Sequence, residues 1–258
     1  MPNINYIGFD EIPSTNAYAL ENIQNIEDKS VVFANTQTQG RGRFKRTWIS
    51  ENCDNLYFSI ILKPTENLQN DLPLANLTQY MSLILCELID SYGIKSQIKW
   101  PNDVLVDNKK IAGILAESSI KKGLLQGIVL GVGINLNSKP EDIAKIDQKA
   151  TSLNIEINNL AQNTPIESSL QKKIDKELFL REIISRFFDK YDDFLSMGFT
   201  MIKNNYTQKC SFLGSTITIK EPDSSYDVIA DSVLDDGTLC VKIGNNKKII
   251  KTGDILLG

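Results

Sequence analysis

Four cations, Arg41, Arg43, Lys45 and Arg46, crowd into six residues of the stretch Gln39 to Trp48, QGRGRFKRTW. Gly40 and Gly42 let the backbone approach a ligand closely and adopt positive φ. Guanidinium groups bond carboxylate and phosphate in a bidentate way, so such a loop can wrap an anion. An exposed basic loop, or an arginine–glycine contact to nucleic acid, would read the same. In Lys99 to Asp103, KWPND, Pro101 fixes the backbone after Trp100, and Asn102 and Asp103 offer polar groups just before a strand. An ordinary Asx turn gives the same pattern. In Lys110 to Glu117, KIAGILAE, a lone cation opens an apolar strand that Gly113 interrupts. A glycine there marks close approach of a ligand or another backbone, although a solvent-facing lysine at a hairpin end is equally regular. Gly131 and Gly133 in GVGIN clear one face of a strand, for a ligand or for tight sheet packing.

The elements that must hold these stretches can be read from pattern. Ser14-Thr15-Asn16 before Ala17 to Leu20 is a helix N-cap signature. Val31 to Ala34 and Leu56 to Leu62 are buried strands. Pro73 opens a helix whose apolar face carries Leu74, Leu77, Met81, Ile84, Leu85 and Leu88. Ile98 to Trp100 and Val104 to Val106 are strands, the turn Asp107 to Lys109 makes a hairpin with Lys110 to Glu117, and Gly127 to Asn137 adds another strand. Residues 138–174 are polar and suggest loops and short helices. Asp175 to Phe194 is one amphipathic helix, with Leu178, Ile183, Ile184, Phe187, Phe188, Tyr191 and Leu195 available for its apolar face. Beyond Ser211 short strands follow closely: Thr216 to Ile219, Tyr226 to Val233, Leu239 to Ile243 and Lys248 to Ile250. The expectation is a catalytic domain over 1–210 and a small β domain over 211–258.

Composition removes several chemistries. The 258 residues contain no histidine, which excludes a Ser–His triad, an HExxH metal site and any histidine base. The net charge of −4 gives no bulk attraction to nucleic acid or membrane, so any anion site is local. Cys53, Cys86, Cys210 and Cys240 form no CxxC pair and read as small buried hydrophobes. The first twenty residues lack a basic n-region and an apolar h-region, and no apolar run approaches the ~18 residues that span a bilayer. The expectation is a cytoplasmic protein.

Taken in order, STN, then Gln37 before GRGR and a tryptophan, then KWPND, then KIAGILxE, then GVGIN, this chain resembles the biotin protein ligases, the biotin–[acetyl-CoA-carboxylase] ligases. The resemblance covers most of 10–140 with specific motifs and continues weakly beyond. It implies an α+β fold: a catalytic core like that of the class II aminoacyl-tRNA synthetases, a mixed sheet with helices, followed by a small SH3-like β-barrel. It implies an enzyme that activates biotin with MgATP to biotinyl-5′-AMP, then transfers biotin to a lysine of a biotin carboxyl carrier protein. The alternatives are a lipoate-type ligase on the same fold and a non-catalytic biotin-binding protein.

Carried over by resemblance, Ser14, Thr15, Asn16, Gln37, Arg41, Gly42, Arg43, Lys110, Gly113, Gly131 and Gly133 surround biotin. Trp48, Trp100, Asn102 and Asn135 lie on the nucleotide side. Lys110, Arg41, Arg43 and Asp103 carry the chemistry, with Asp103 an indirect magnesium ligand. The family loop reads GRGRRGRxW; here Phe44 stands for an arginine and Lys45 for a glycine. Thirteen residues precede Ser14, too few for the ~50-residue DNA-reading domain of the repressor forms. The expected partners therefore exclude DNA and membrane, and a homodimer stays open.

Overall fold

A computed structural model describes residues 4–49, 54–64, 74–146, 148–162, 173–220 and 224–257. Strand β1 (Tyr6–Ile12) leads into helix α1 (Thr15–Glu21), capped by the Ser14 side chain accepting from the Ala17 amide. Strands β2 (Val31–Gln37) and β3 (Leu56–Leu62) follow, then helix α2 (Leu74–Asp90). Next come β4 (Ser96–Lys99), β5 (Asp103–Val106), β6 (Lys109–Lys121) and β7 (Leu124–Ile134). Together they form a seven-stranded mixed sheet, ordered β1-β2-β3-β7-β6-β5-β4, in which only the β1–β2 pairing is parallel.

Strand β3 is buried along its whole length because both sheet faces are covered. Phe58, Ile60 and Leu62 join the main core with α2, whereas Ile61 joins a second cluster under α1 with Ala19, Ile23, Val32 and Val129. The β5–β6 hairpin turns at Asp107 and Asn108, both at positive φ (48° and 59°), as such two-residue turns require.

Helices α3 (Pro140–Ile143) and α4 (Leu153–Gln162) fill the polar region as expected. The single helix expected over 175–194 is two: α5 (Lys176–Asp189), capped by Asp175, and α6 (Tyr191–Met197), meeting at Lys190. Leu178 faces solvent, because the buried stripe runs through Phe179, Leu180, Ile183, Ile184 and Phe187 and leaves position 178 on the opposite side. Strand β4 ends at Lys99, not at Trp100. Cys86, Cys210 and Cys240 are buried and free, as expected; Cys53 and Pro73 lie outside the described residues.

Helix α7 (Lys203–Lys209) leads to a second sheet: β8 (Thr216–Lys220), β9 (Ser225–Val233), β10 (Leu239–Ile243), β11 (Asn246–Ile250) and β12 (Asp254–Leu257). It is antiparallel, ordered β11-β10-β9-β8-β12. The small β unit is present, but its pairings leave an open sheet and not the expected closed barrel. Strand β12 was not read from the sequence. The turn before β10 plugs into the larger unit: Gly237 O accepts from Trp100 Nε1 at 3.0 Å and from Gln79 Nε2 at 2.8 Å, and Asp236 O accepts from Asn76 Nδ2 at 3.0 Å. No helix among the described residues is long and apolar enough to cross a membrane.

Candidate active site

The start of α1 lies over β3, β6 and β7 and builds one end of the site. Gln37 Oε1 accepts from the Thr15 amide at 2.8 Å and from Thr15 Oγ1 at 3.1 Å. Ser59 Oγ, on the largely apolar β3, lies 2.6 Å from Asn16 Oδ1 and 2.8 Å from Thr15 Oγ1. These buried polar groups are satisfied by one another, and Thr15, Asn16 and Gln37 floor a narrow slot with Ser59 behind them. Every residue expected around the small ligand, from Ser14 to Gly133, lines it.

The glycines on β6 and β7 clear space mainly for the site's own side chains. A Cβ on Gly131 would lie 2.0 Å from Asn16 Oδ1, one on Gly133 2.6 Å from Trp48 Cε2, and one on Gly113 2.8 Å from Trp48 Cζ3 and 3.0 Å from Lys110 Nζ. Both sequence readings of these glycines thus meet: the close packing is what shapes the slot.

The slot opens into a cleft of about 630 Å³. Gly42, Arg43, Trp48, Asn102 and Lys110 border both spaces. The arginine loop closes on itself, with Gly42 N donating to Arg46 O at 2.8 Å and Trp48 N to Gly40 O at 2.9 Å. It is pinned to the C-terminal sheet. Arg43 Nη1 donates to Gly253 O and to Asn102 Oδ1, both at 3.0 Å, and Arg46 Nη1 reaches Asp254 Oδ2 at 2.6 Å. Burial, above all, pulls the Arg43 pKa down, while Asp254 and Asp103 work to raise it.

A chain of alternating charge then crosses the cleft. Lys99 Nζ lies 3.4 Å from Asp254 and 3.5 Å from Asp103, and Asp103 lies 2.9 Å from Lys110 Nζ. Burial works to raise the Asp254 pKa, but Lys99 and Arg46 hold it below its ordinary value. Lys110 also stands 5.3 Å from the Trp48 ring centroid. The buried Trp48 Nε1 has no hydrogen-bond partner among the described residues. An unmet buried donor costs about 1–3 kcal/mol, so this one suits an acceptor oxygen of a ligand.

Of the residues expected on the nucleotide side, Trp48, Asn102 and Asn135 border the cleft. Trp100 does not: it is 1% exposed, and its indole donates to Gly237 O beneath the C-terminal sheet. Sequence reasoning missed Ser59, Lys99 and Asp254. A serine inside LYFSIIL was a readable signal; Asp254, in a short segment after the last strand recognised, gave none. No group of three or more metal-ligating side chains exists among the described residues, and Asp103 and Asp254 are already paired with lysine or arginine.

The fold and site define an α+β enzyme core in which a polar-floored slot for a small ligand meets a cation-lined cleft for an anionic one. The chain belongs to the biotin/lipoate A/B protein ligase family, whose model matches residues 8–135. It is 29% identical over 246 residues to the bifunctional ligase/repressor BirA of Bacillus subtilis, covering 94% of this chain and 70% of that one. It is 27% identical over 252 residues to the biotin–[acetyl-CoA-carboxylase] ligase of Paracoccus denitrificans, covering 95% and 97%. Among solved structures it is similar to the biotin protein ligase from Aquifex aeolicus in complex with biotin and ATP, at 26% identity, TM-score 0.79 and coverage of 98% and 97%.

Proposed function

We propose that this chain activates biotin with ATP to biotinyl-5′-AMP and transfers biotin to a lysine of a biotin carboxyl carrier protein. One observation carries the reading: slot and cleft share a wall that includes Arg43, Trp48 and Lys110. Two substrates held in the two spaces would meet at those cations. A biotin carboxylate oxygen attacks the α-phosphorus of ATP, and pyrophosphate leaves. The carrier's lysine amine then attacks the acyl carbon of the mixed anhydride, and AMP leaves.

Both partners in the first step are anions. Arg43 and Lys110 reduce their repulsion and stabilise the charge that builds on the phosphoryl oxygens. No histidine is required, because the carboxylate is already ionised and the second nucleophile comes from the carrier. We assign the incoming amine's proton to Asp103, a reading supported by its position between Lys99 and Lys110 in the cleft. Magnesium would come with the ATP phosphates, meeting at most one or two carboxylates here; no step above depends on it.

The slot's polar floor separates biotin from lipoate. Thr15, Asn16 and Gln37 line the slot with oxygens and amide groups that can also bond a cyclic urea, whereas a dithiolane ring offers them no hydrogen-bonding group. The five short antiparallel strands of the C-terminal sheet favour an SH3-like assignment for 211–258, in which β12 forms part of the cleft wall. The test is pyrophosphate exchange by the purified chain with biotin or lipoate as the acid, followed by transfer to a carrier domain. Biotin-dependent exchange and a biotinylated carrier are expected. Exchange with lipoate alone, or binding without adenylate, would move the assignment to one of the alternatives.

A further inference from the structure

Glu117 closes the KIAGILAE stretch, and nothing above uses it. It follows Gly113 and Leu115 on the slot side of β6 by the two-residue period of a strand. Its Oε2 accepts from Asn16 Nδ2 at 2.8 Å and lies 3.2 Å from Arg41 Nη2. One carboxylate oxygen thus joins the first turn of α1 to the arginine loop.

The consequence for Asn16 follows from donor inventory. An ionised carboxylate only accepts, so the amide nitrogen of Asn16 must face it. Leu115 O, at 3.3 Å, also faces that nitrogen. The amide oxygen is therefore turned to Ser59 and over Gly131. Without Glu117 the amide keeps only the longer bond to Leu115 O on its nitrogen side and is held less firmly against turning its NH2 to the slot. A ligand ring that carries N–H groups would then meet a donor where it needs an acceptor.

We propose that Glu117 is a positioning residue for the slot: it fixes the Asn16 amide with its oxygen inward and docks the arginine loop through Arg41. The inference rests on reading the slot as the biotin site. The Asn16 bond is charge-assisted, of a kind whose loss costs about 1.5–3 kcal/mol, or roughly tenfold to a hundredfold in affinity. The Arg41 pair is half exposed and is worth at most about fivefold.

The experiment measures biotin-dependent pyrophosphate release, with separate KM values, and the dissociation rate of biotinyl-AMP. Glu117→Ala should raise the biotin KM at least about tenfold and leave the ATP KM within about twofold. Glu117→Gln, which can still accept from Asn16, should recover most of the biotin KM yet release the adenylate up to about fivefold faster. That increment should vanish in an Arg41→Ala background and at high salt. An unchanged biotin KM in Glu117→Ala, equal rises in both KM values, or a Glu117→Gln effect undiminished by Arg41→Ala would overturn the proposal. No biotin-dependent release by the unsubstituted chain would overturn the functional reading, and this inference with it, before any variant is compared.

Discussion

Replacing Asp254 by asparagine removes one charge while keeping the side chain's shape. The carboxylate is largely buried, with its side chain 8% exposed, and it holds Arg46 at 2.6 Å and Lys99 at 3.4 Å. Breaking a buried pair by removing one partner costs about 3–5 kcal/mol when the other charge is stranded. Here neither is stranded: Arg46 is half exposed and can hydrate, and Lys99 keeps Asp103 at 3.5 Å. A loss of about 2 kcal/mol is therefore expected, equivalent to roughly 4–8 °C in Tm for a chain of this size. The arginine loop would also lose one of its two ties to the C-terminal sheet, so the ATP KM should rise several-fold while the biotin KM, set in the slot, stays near its original value. Thermal melting and pyrophosphate release read both effects. The depressed pKa of Asp254 means that this stabilisation is fully present above its ordinary 3.8 and fades as pH falls through the lowered value. The asparagine variant should accordingly lose less stability than the parent between neutral and strongly acidic pH. An unchanged Tm together with an unchanged ATP KM would refute the latch.

Lys110→Ala should slow adenylate formation by about 10²–10³, and the protein should stay folded because Asp103 retains Lys99; near-normal pyrophosphate release by a folded variant would contradict the role. Gly131→Ala places a methyl group 2.0 Å from Asn16 Oδ1 and should cost about 1–3 kcal/mol through overpacking, with biotin binding by calorimetry reduced far more than ATP binding. Arg41→Ala should speed adenylate loss with little change in Tm, since its pair with Glu117 is half exposed. Saturating biotin and ATP should protect the 40–48 loop from protease in the parent, and an unchanged cleavage pattern would count against its contact with the ligands.

Local chemistry was the most legible part. Ser14 as a helix cap, the buried strand LYFSIIL and the Asp107–Asn108 turn are each written in a few adjacent residues, and each stands where pattern puts it. The slot was legible because its motifs are short and ordered, even though its residues come from α1, β2, β6, β7 and the arginine loop. What sequence could not convey was long-range pairing. Asp254 meets Arg46 and Lys99 across more than a hundred and fifty residues, and Trp100 reads as a ligand wall until Gly237 is seen beneath it. Helix α5 and helix α6 share one continuous apolar pattern, so periodicity gave no sign of the break at Lys190.

The Asp236–Gly237 turn ties the C-terminal sheet to the larger one in a particular way. Gly237 sits at φ 80°, and any Cβ there would lie 2.5 Å from both Asn76 Nδ2 and Gln79 Oε1 on α2. Trp100, one step from the KWPND polar pair, hangs from the same carbonyl. Cutting the chain at 210 would leave the indole N–H and the Gln79 amide without their shared acceptor and take from Asn76 one of its two, beneath a newly wetted apolar face. The two sheets are therefore modules in outline and not in thermodynamics: calorimetry should record one endotherm with a van't Hoff ratio near unity. A C-terminal unit grafted onto this chain would have to bring a glycine turn that fits the socket of Asn76, Gln79 and Trp100.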